Sequence, residues 1–94
     1  MMDYKFDGKE LRNRRNIKLG LFDGKYIRDA HGIRVGEFDG RYFKDKRGVR
    51  IAEFDGEDIR DSHGKRIATI DDVEETIDGV GGASLVAMWL FFVR

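Results

Sequence analysis

The sequence predicts a mostly β fold built from four 16-residue β-hairpin repeats and completed by a C-terminal apolar segment. Three observations carry this prediction: a motif recurs at a fixed spacing, turn residues separate runs in which apolar and charged residues alternate, and the last part of the chain is uncharged. A chain of 94 residues is the size of one domain. We therefore expect a single domain, 1–94, with the repeats in 1–70 and an apolar plug in 71–94.

The repeat is seen first in the motif Phe-Asp-Gly, which occurs at residues 6–8, 22–24, 38–40 and 54–56, always 16 residues apart. Other positions keep the same phase, including the cationic columns Lys18, Arg34, Arg50, Arg66 and Arg12, Arg28, Lys44, Arg60. Repeats built from two helices are longer, roughly 33 to 47 residues. Sixteen residues fit two short strands and two turns, and the alternation between the turns is typical of strands.

Each repeat contains two turn signals. We expect Asp-Gly to fill the two central positions of a type I′ hairpin turn, which needs positive φ at both. Asp-x-x-Gly segments such as 29–32 suit a type I turn followed by a left-handed glycine. A two-residue Asp39-Gly40 loop sets Phe38 opposite Arg41, and cross-strand ion pairs then follow. The expected pairs are Lys18–Asp29, Arg34–Asp45 and Arg50–Asp61.

Repeats of this size must stack on their neighbours to bury a core. Four hairpins, at 1–13, 17–29, 33–45 and 49–61, form either an open stack or a ring with pseudo-fourfold symmetry. Closure into a ring removes exposed strand edges, and we therefore favour it.

The C-terminal part of the chain breaks the repeat after Ile70. Asp72, with Glu75 three residues later, resembles a helix N-cap and its capping-box partner. The segment Ala83–Val93 is apolar except for Ser84, and its length fits a helix or a buried strand; Ala, Leu and Met favour a helix. A segment that is apolar all round is buried in protein or in lipid. We expect a core plug, with a membrane or partner-binding tail as the alternative.

The tandem units FDGKYIRDAHGIRVGE, FDGRYFKDKRGVRIAE and FDGEDIRDSHGKRIAT, with the tail DDVEETIDGVGGASLVAMWLFFVR, resemble the bacterial 4-fold beta flower family. The resemblance covers nearly the whole chain and implies four β-hairpin petals around a central axis, with the C-terminal segment packed against or through them. It implies no catalytic motif. The first repeat departs from the pattern, because 13–16 reads Asn-Arg-Arg-Asn where the others have Asp-x-x-Gly.

Little in the composition points to catalysis or to a cofactor. Eighteen Lys and Arg balance eighteen Asp and Glu, so nucleic acid is not an expected partner, although a local basic patch remains open. There is no cysteine for a thiolate metal site or nucleophile. His31 and His63 lie in equivalent turns and are expected to face solvent. We expect no metal, no cofactor and no enzymatic activity.

One ligand site is conceivable. If the cations Lys18, Arg34, Arg50 and Arg66 converge, they form an anion site; the simpler interpretation is that they pair with aspartates across their hairpins. The leading functional hypothesis is a non-enzymatic binding or assembly module, with protein or self-association as its partner and a surface that includes Tyr26, Tyr42, Lys25 and Arg41. The alternative is a membrane-associated protein anchored through Ala83–Val93. The expected location is the cytoplasm.

Overall fold

Short strands and tight turns alternate along most of the chain, as the 16-residue repeat predicts. The computed structural model describes residues 3–79 and 81–94. The strands are β1 (Tyr4–Phe6), β2 (Glu10–Asn13), β3 (Lys18–Phe22), β4 (Tyr26–Asp29), β5 (Arg34–Phe38), β6 (Tyr42–Asp45), β7 (Arg50–Phe54), β8 (Asp58–Asp61), β9 (Arg66–Thr69) and β10 (Ile77–Gly79). The helices are α1 (Ile70–Thr76) and α2 (Ala83–Met88), and α2 continues as a π-helical segment, Trp89–Val93. The prediction of a mostly β protein made of hairpins is confirmed.

All ten strands belong to one sheet, in the order β10-β1-β2-β3-β4-β5-β6-β7-β8-β9. Neighbours are antiparallel except for β1 and β10, which are parallel. Helix α1 connects β9 at one end of the sheet to β10 at the other, although seven helical residues span only about 10 Å. A flat sheet of ten strands would measure about 43 Å across, whereas the longest extent of the whole protein is 35 Å. The sheet therefore curves until α1 can bridge its two ends.

The Asp-x-x-Gly turns form as expected. In the hairpin between β4 and β5, the Asp29 carboxylate accepts hydrogen bonds from the backbone N–H groups of His31 (2.8 Å) and Ile33 (3.0 Å). Gly32 has a φ of 84°, the left-handed conformation that glycine adopts without strain. The first repeat makes the same turn from Asn13 and Asn16, because the Asn13 side chain accepts equivalent bonds and Asn16 has a φ of 64°.

The type I′ prediction for the Asp-Gly turns is wrong. Asp39 keeps a negative φ, and only Gly40 is positive, at 107°. The Asp39 carboxylate accepts hydrogen bonds from the N–H groups of Arg41 (3.0 Å) and Tyr42 (2.8 Å), while its own N–H donates to the Tyr42 carbonyl at 3.2 Å. The aspartate therefore stands before the turn and caps it, and the loop is centred on Gly40-Arg41, one residue later than predicted.

Moving the loop centre by one residue moves the strand register by two. Phe38 lies opposite Phe43, with ring centroids 4.4 Å apart, and Gly36 lies opposite Asp45. The residues found opposite Asp29, Asp45 and Asp61 are Gly20, Gly36 and Ala52. The predicted ion pairs Lys18–Asp29, Arg34–Asp45 and Arg50–Asp61 consequently do not form, because each cation lies two positions too far along its strand.

The first helix begins earlier than the sequence analysis placed it. Thr69 is the N-cap, and its hydroxyl and the Asp72 carboxylate form a capping box, so Asp72 is the partner rather than the cap. The helix then ends at Thr76 without a glycine, and the chain returns to the sheet as β10. This strand was missed because three residues ending in Gly79 show no strand periodicity.

The core lies between the sheet and the C-terminal helices. The strands contribute a column of fully buried side chains, Leu11, Ile27, Phe43 and Ile59. Residues 85–88 of α2 are also completely buried, and the π-helical segment after them packs against the same core. The helical prediction for the C-terminal segment is thus confirmed, and this segment covers one face of the sheet.

Two glycines make room for the C-terminal aromatic rings. A Cβ on Gly20 would overlap the ring of Phe92, and a Cβ on Gly36 would overlap the ring of Phe91 and lie 2.7 Å from the Lys44 carbonyl oxygen. The missing side chains therefore let these rings lie directly on the backbone of β3 and β5.

We expect Gly36→Ala to lower the free energy of unfolding by about 1–3 kcal/mol, the usual cost of overpacking. Urea unfolding followed by circular dichroism measures the change. Combining it with Phe91→Ala should cost less than the sum of the single variants, because the second change removes the overlapping ring. Strictly additive losses would contradict the proposed contact.

Removing residues 83–94 should unfold the sheet, because the face formed by Leu11 and its equivalents would then be exposed. Thermal unfolding followed by circular dichroism would show the loss of a cooperative transition. A matched control replaces Ile33, which is 61% exposed, by serine and should stay folded. A truncated protein that keeps its cooperative transition would contradict the core role and favour the membrane-tail alternative.

Candidate functional site

One face of the sheet carries the cations. Successive side chains of a strand point to opposite faces, so residues next to the buried column, such as Tyr26 and Arg28 beside Ile27, point away from α2. A β-bulge turns the cations of the facing strands to the same side, where they contact residues such as Tyr26. We call the eight cations on this open face the cation row: Arg12, Lys18, Arg28, Arg34, Lys44, Arg50, Arg60 and Arg66. They lie on eight successive strands, β2 to β9.

The cation row consists of like charges placed directly opposite one another. The cross-strand partners are Arg12 with Lys18, Arg28 with Arg34, Lys44 with Arg50, and Arg60 with Arg66. Each pair adjoins a β-bulge, where the register between the two strands shifts. Directly opposed like charges destabilise a sheet, and here the arrangement is repeated four times. Negative charge placed near these cations would reduce the repulsion between them.

The first and fourth repeats provide this charge within the chain. Glu10 lies 2.9 Å from Arg12 and 4.0 Å from Lys18. Asp58 lies 3.3 Å from Arg60 and 3.7 Å from Arg66. In both repeats a single carboxylate therefore bridges the two cations of the opposed pair.

In the two middle repeats, a tyrosine stands where the others have the carboxylate. The Arg34 guanidinium lies 4.8 Å from the centre of the Tyr26 ring, and the Arg50 guanidinium lies 3.8 Å from that of Tyr42. A ring attracts a cation through its quadrupole but does not neutralise it. Among the described residues, Arg28, Arg34 and Arg50 form no ion pair, although the charge of Asp23 acts on Arg28 from a longer distance.

The surroundings of the two tyrosines carry further charge. Lys25 and Arg41, which the sequence analysis placed on the binding surface, lie 5.1 and 5.6 Å from the rings of Tyr26 and Tyr42. Glu37 and Glu53 lie directly opposite the same tyrosines and, on their other side, directly opposite the cations Lys44 and Arg60. Glu53 also binds Arg41 at 2.6 Å.

The four cations of the hypothetical anion site, Lys18, Arg34, Arg50 and Arg66, lie on alternate strands of the open face. Each faces a residue of the preceding strand, either a carboxylate or a tyrosine, instead of an aspartate of its own hairpin. The second column, beginning at Arg12, is visible in the sequence, but its pairing with the first is not, because the register predicted from Asp-Gly differs from the observed one.

A shallow hollow of about 340 Å³ adjoins the middle of the row. Its lining includes Tyr42, Arg50, Glu53 and His63. Both histidines are exposed, as predicted. The residues that the structure describes contain no group of three or more His, Asp or Glu side chains suited to a metal ion.

The turn aspartates are held as carboxylates. In the Asp-Gly turns, the backbone N–H groups that donate to the side chain lower the pKa of the aspartate below its usual value; the residues are Asp7, Asp23, Asp39 and Asp55. In the other turns, the N–H group four residues ahead is the main cause of a lowered pKa, at Asp29, Asp45 and Asp61. These carboxylates accept hydrogen bonds from the backbone and remain ionised at neutral pH.

In the described parts of the chain, no helix is both long enough and apolar enough to cross a membrane.

Fold and surface together define a β-hairpin repeat protein with one face covered by helices and one open face lined with cations. Comparison of the chain with protein-family models, curated proteins and solved structures finds no match. Membership of the 4-fold beta flower family therefore stays a prediction.

We expect the turn aspartates to make stability depend on acid pH. Their pKa values are lower in the folded protein than the unfolded value of about 3.9. Their contribution to the free energy of unfolding is therefore present above that pH and is lost as the pH falls through the folded pKa values. The triple variant Asp29→Asn, Asp45→Asn, Asp61→Asn should still fold, because Asn13 already makes this turn.

Urea unfolding at several pH values, from about 2 to 5, would measure the effect. The triple variant should lose less stability on acidification than the unchanged protein does. Equal slopes for the two proteins would show that these three aspartates are not the source of the pH dependence.

Proposed function

We propose that this protein is a non-enzymatic binding or assembly module, and that the open face of its sheet is the binding surface. The observation that carries the proposal is the set of directly opposed cations on β2 to β9. This arrangement destabilises the isolated sheet, and binding of an anionic partner would offset the repulsion.

The repeated geometry supports a multivalent interaction. Equivalent positions of neighbouring repeats lie two strands apart, which is about 10 Å. A partner that carries several anionic groups would therefore meet the same local arrangement more than once, and each contact would raise the effective concentration for the next.

The state of the titratable groups supports a non-enzymatic role. General acid–base catalysis needs groups whose pKa values are tuned toward the working pH. The aspartates whose pKa values shift here move in the opposite direction, to lower values, because their oxygens accept backbone hydrogen bonds in turns.

We further propose that the four hairpins are arranged with pseudo-fourfold symmetry. Two features support this arrangement: the four bulged pairs are equivalent, and α1 bridges the two ends of the curved sheet. Membrane association through Ala83–Val93 stays a prediction; it would require residues 85–88, which are completely buried, to leave the core.

The proposal is tested by adding a panel of anionic probes to the isotopically labelled protein and recording amide resonances. The panel contains hexaglutamate, inorganic polyphosphate, a sulfated oligosaccharide, oligothymidylate and vesicles with anionic lipid. We expect at least one probe to shift resonances of residues 26–50 in a salt-dependent way, and the triple variant Arg28→Gln, Arg34→Gln, Arg50→Gln to lose the response. If no probe shifts these resonances, the proposed function is wrong.

A further inference from the structure

We propose that the two middle repeats bind carboxylate groups from an acidic segment of a partner protein. One site is formed by Arg28 and Arg34, which both lie near the Tyr26 ring. The equivalent site is formed by the opposed pair Lys44 and Arg50, of which Arg50 lies over the Tyr42 ring. The inference rests on the proposed binding function and specifies its ligand.

The chain itself shows which group fits these sites. In the terminal repeats, the position of the tyrosine is occupied by Glu10 or Asp58, and each carboxylate reaches both cations of its opposed pair. The backbone of the middle repeats has the same register and the same bulge. A carboxylate brought by a partner can therefore contact the two cations of each middle pair, as Glu10 and Asp58 do in the terminal repeats.

The contacts now present at the middle sites are weak enough to be replaced. Arg34 and Arg50 each contact a tyrosine ring and form no ion pair with the described residues. Lys44 lies 3.5 Å from Asp39, and both side chains are partly exposed. An exposed pair of this kind contributes at most about 1 kcal/mol, and Asp39 is already held by two backbone N–H groups.

The environment of the tyrosines disfavours nucleic acid as the ligand. Stacking on a base requires an accessible ring face. The ring of Tyr26, however, has Lys25, Arg28 and Arg34 within 5.8 Å of its centre, and the Arg50 guanidinium lies 3.8 Å from the centre of the Tyr42 ring. These cations compete with a base for the ring faces.

The two sites are close enough for one segment to occupy both. Arg34 and Arg50 lie on β5 and β7, about 10 Å apart. Three residues of extended chain cover the same distance, so a short run of glutamates or aspartates reaches both sites.

The test measures binding of fluorescent hexaglutamate by anisotropy, at low and at physiological ionic strength, with a hexaserine peptide as the uncharged control. The decisive variant is Tyr26→Glu, Tyr42→Glu, which gives the middle repeats the carboxylates of the terminal ones. We expect it to weaken hexaglutamate binding by about tenfold or more. Its matched control, Tyr26→Phe, Tyr42→Phe, should stay within about twofold of the unchanged protein.

Circular dichroism confirms that each variant folds, which we expect because the same column already accepts Glu10 and Asp58. If the glutamate variant does not fold, Arg34→Gln, Arg50→Gln replaces it, with the same expected loss of binding. Unchanged affinity in either folded variant, or equal binding of hexaserine, overturns the inference.

The other probes separate this inference from the proposed function. If polyphosphate or oligothymidylate binds the open face but hexaglutamate does not, the carboxylate assignment is wrong and the binding function stands. If none of the probes affects this face, both are wrong. Self-association in the absence of peptide, if the glutamate variant abolishes it, would overturn the claim that the partner is a different protein. The open face would then bind a second copy of the chain.

Discussion

The structure depends on the burial of one face of the sheet by the chain's own C-terminal helices. Strands of three to five residues cannot form a stable core alone, and here the missing apolar surface comes from residues 85–93. Side chains of a strand alternate between faces. The residues next to the buried column, which consists of Leu11, Ile27, Phe43 and Ile59, therefore point to the other face. Burial of this column therefore leaves the other face of the sheet, which carries the cations, open to a partner.

Much of the fold could be predicted because the repeat presents the same evidence several times. Four copies of Phe-Asp-Gly identify the hairpins, and the apolar run from Ala83 identifies the covering element. The strand register was not predictable from the turn sequence alone. Asp-Gly is compatible with a loop centred on Asp39-Gly40 or on Gly40-Arg41, and the choice depends on whether the aspartate carboxylate captures the N–H groups of residues 41 and 42. Helix α1 was placed too late and strand β10 was missed, because Thr69 and Ile77–Gly79 lie outside the repeat and occur only once.

The candidate site depended on the feature that was predicted least well. Both cationic columns are visible in the sequence, but they become opposed pairs only with the observed register and bulges. With the register predicted from Asp-Gly, Arg34 faces Asp45 and the charge is compensated. A shift of two residues keeps the same apolar side chains buried, but the bulges turn Arg34 and its equivalents to the open face, so the charge pairing changes completely. The core can therefore be predicted with an incorrect register, but the electrostatics of the open face cannot.

The differences between repeats are therefore as informative as their likeness. A repeat selected only for packing would keep the carboxylate of Glu10 and Asp58 in all four copies, because it relieves the repulsion between opposed cations. Tyr26 and Tyr42 keep the cations in position through ring contacts and leave the charge available. The terminal repeats thus resemble the middle repeats with a carboxylate bound. The repulsion between opposed cations that no carboxylate bridges is confined to the two copies that lie away from the ends of the sheet. Such a division of roles separates the repeats that complete the fold from those that can bind a partner.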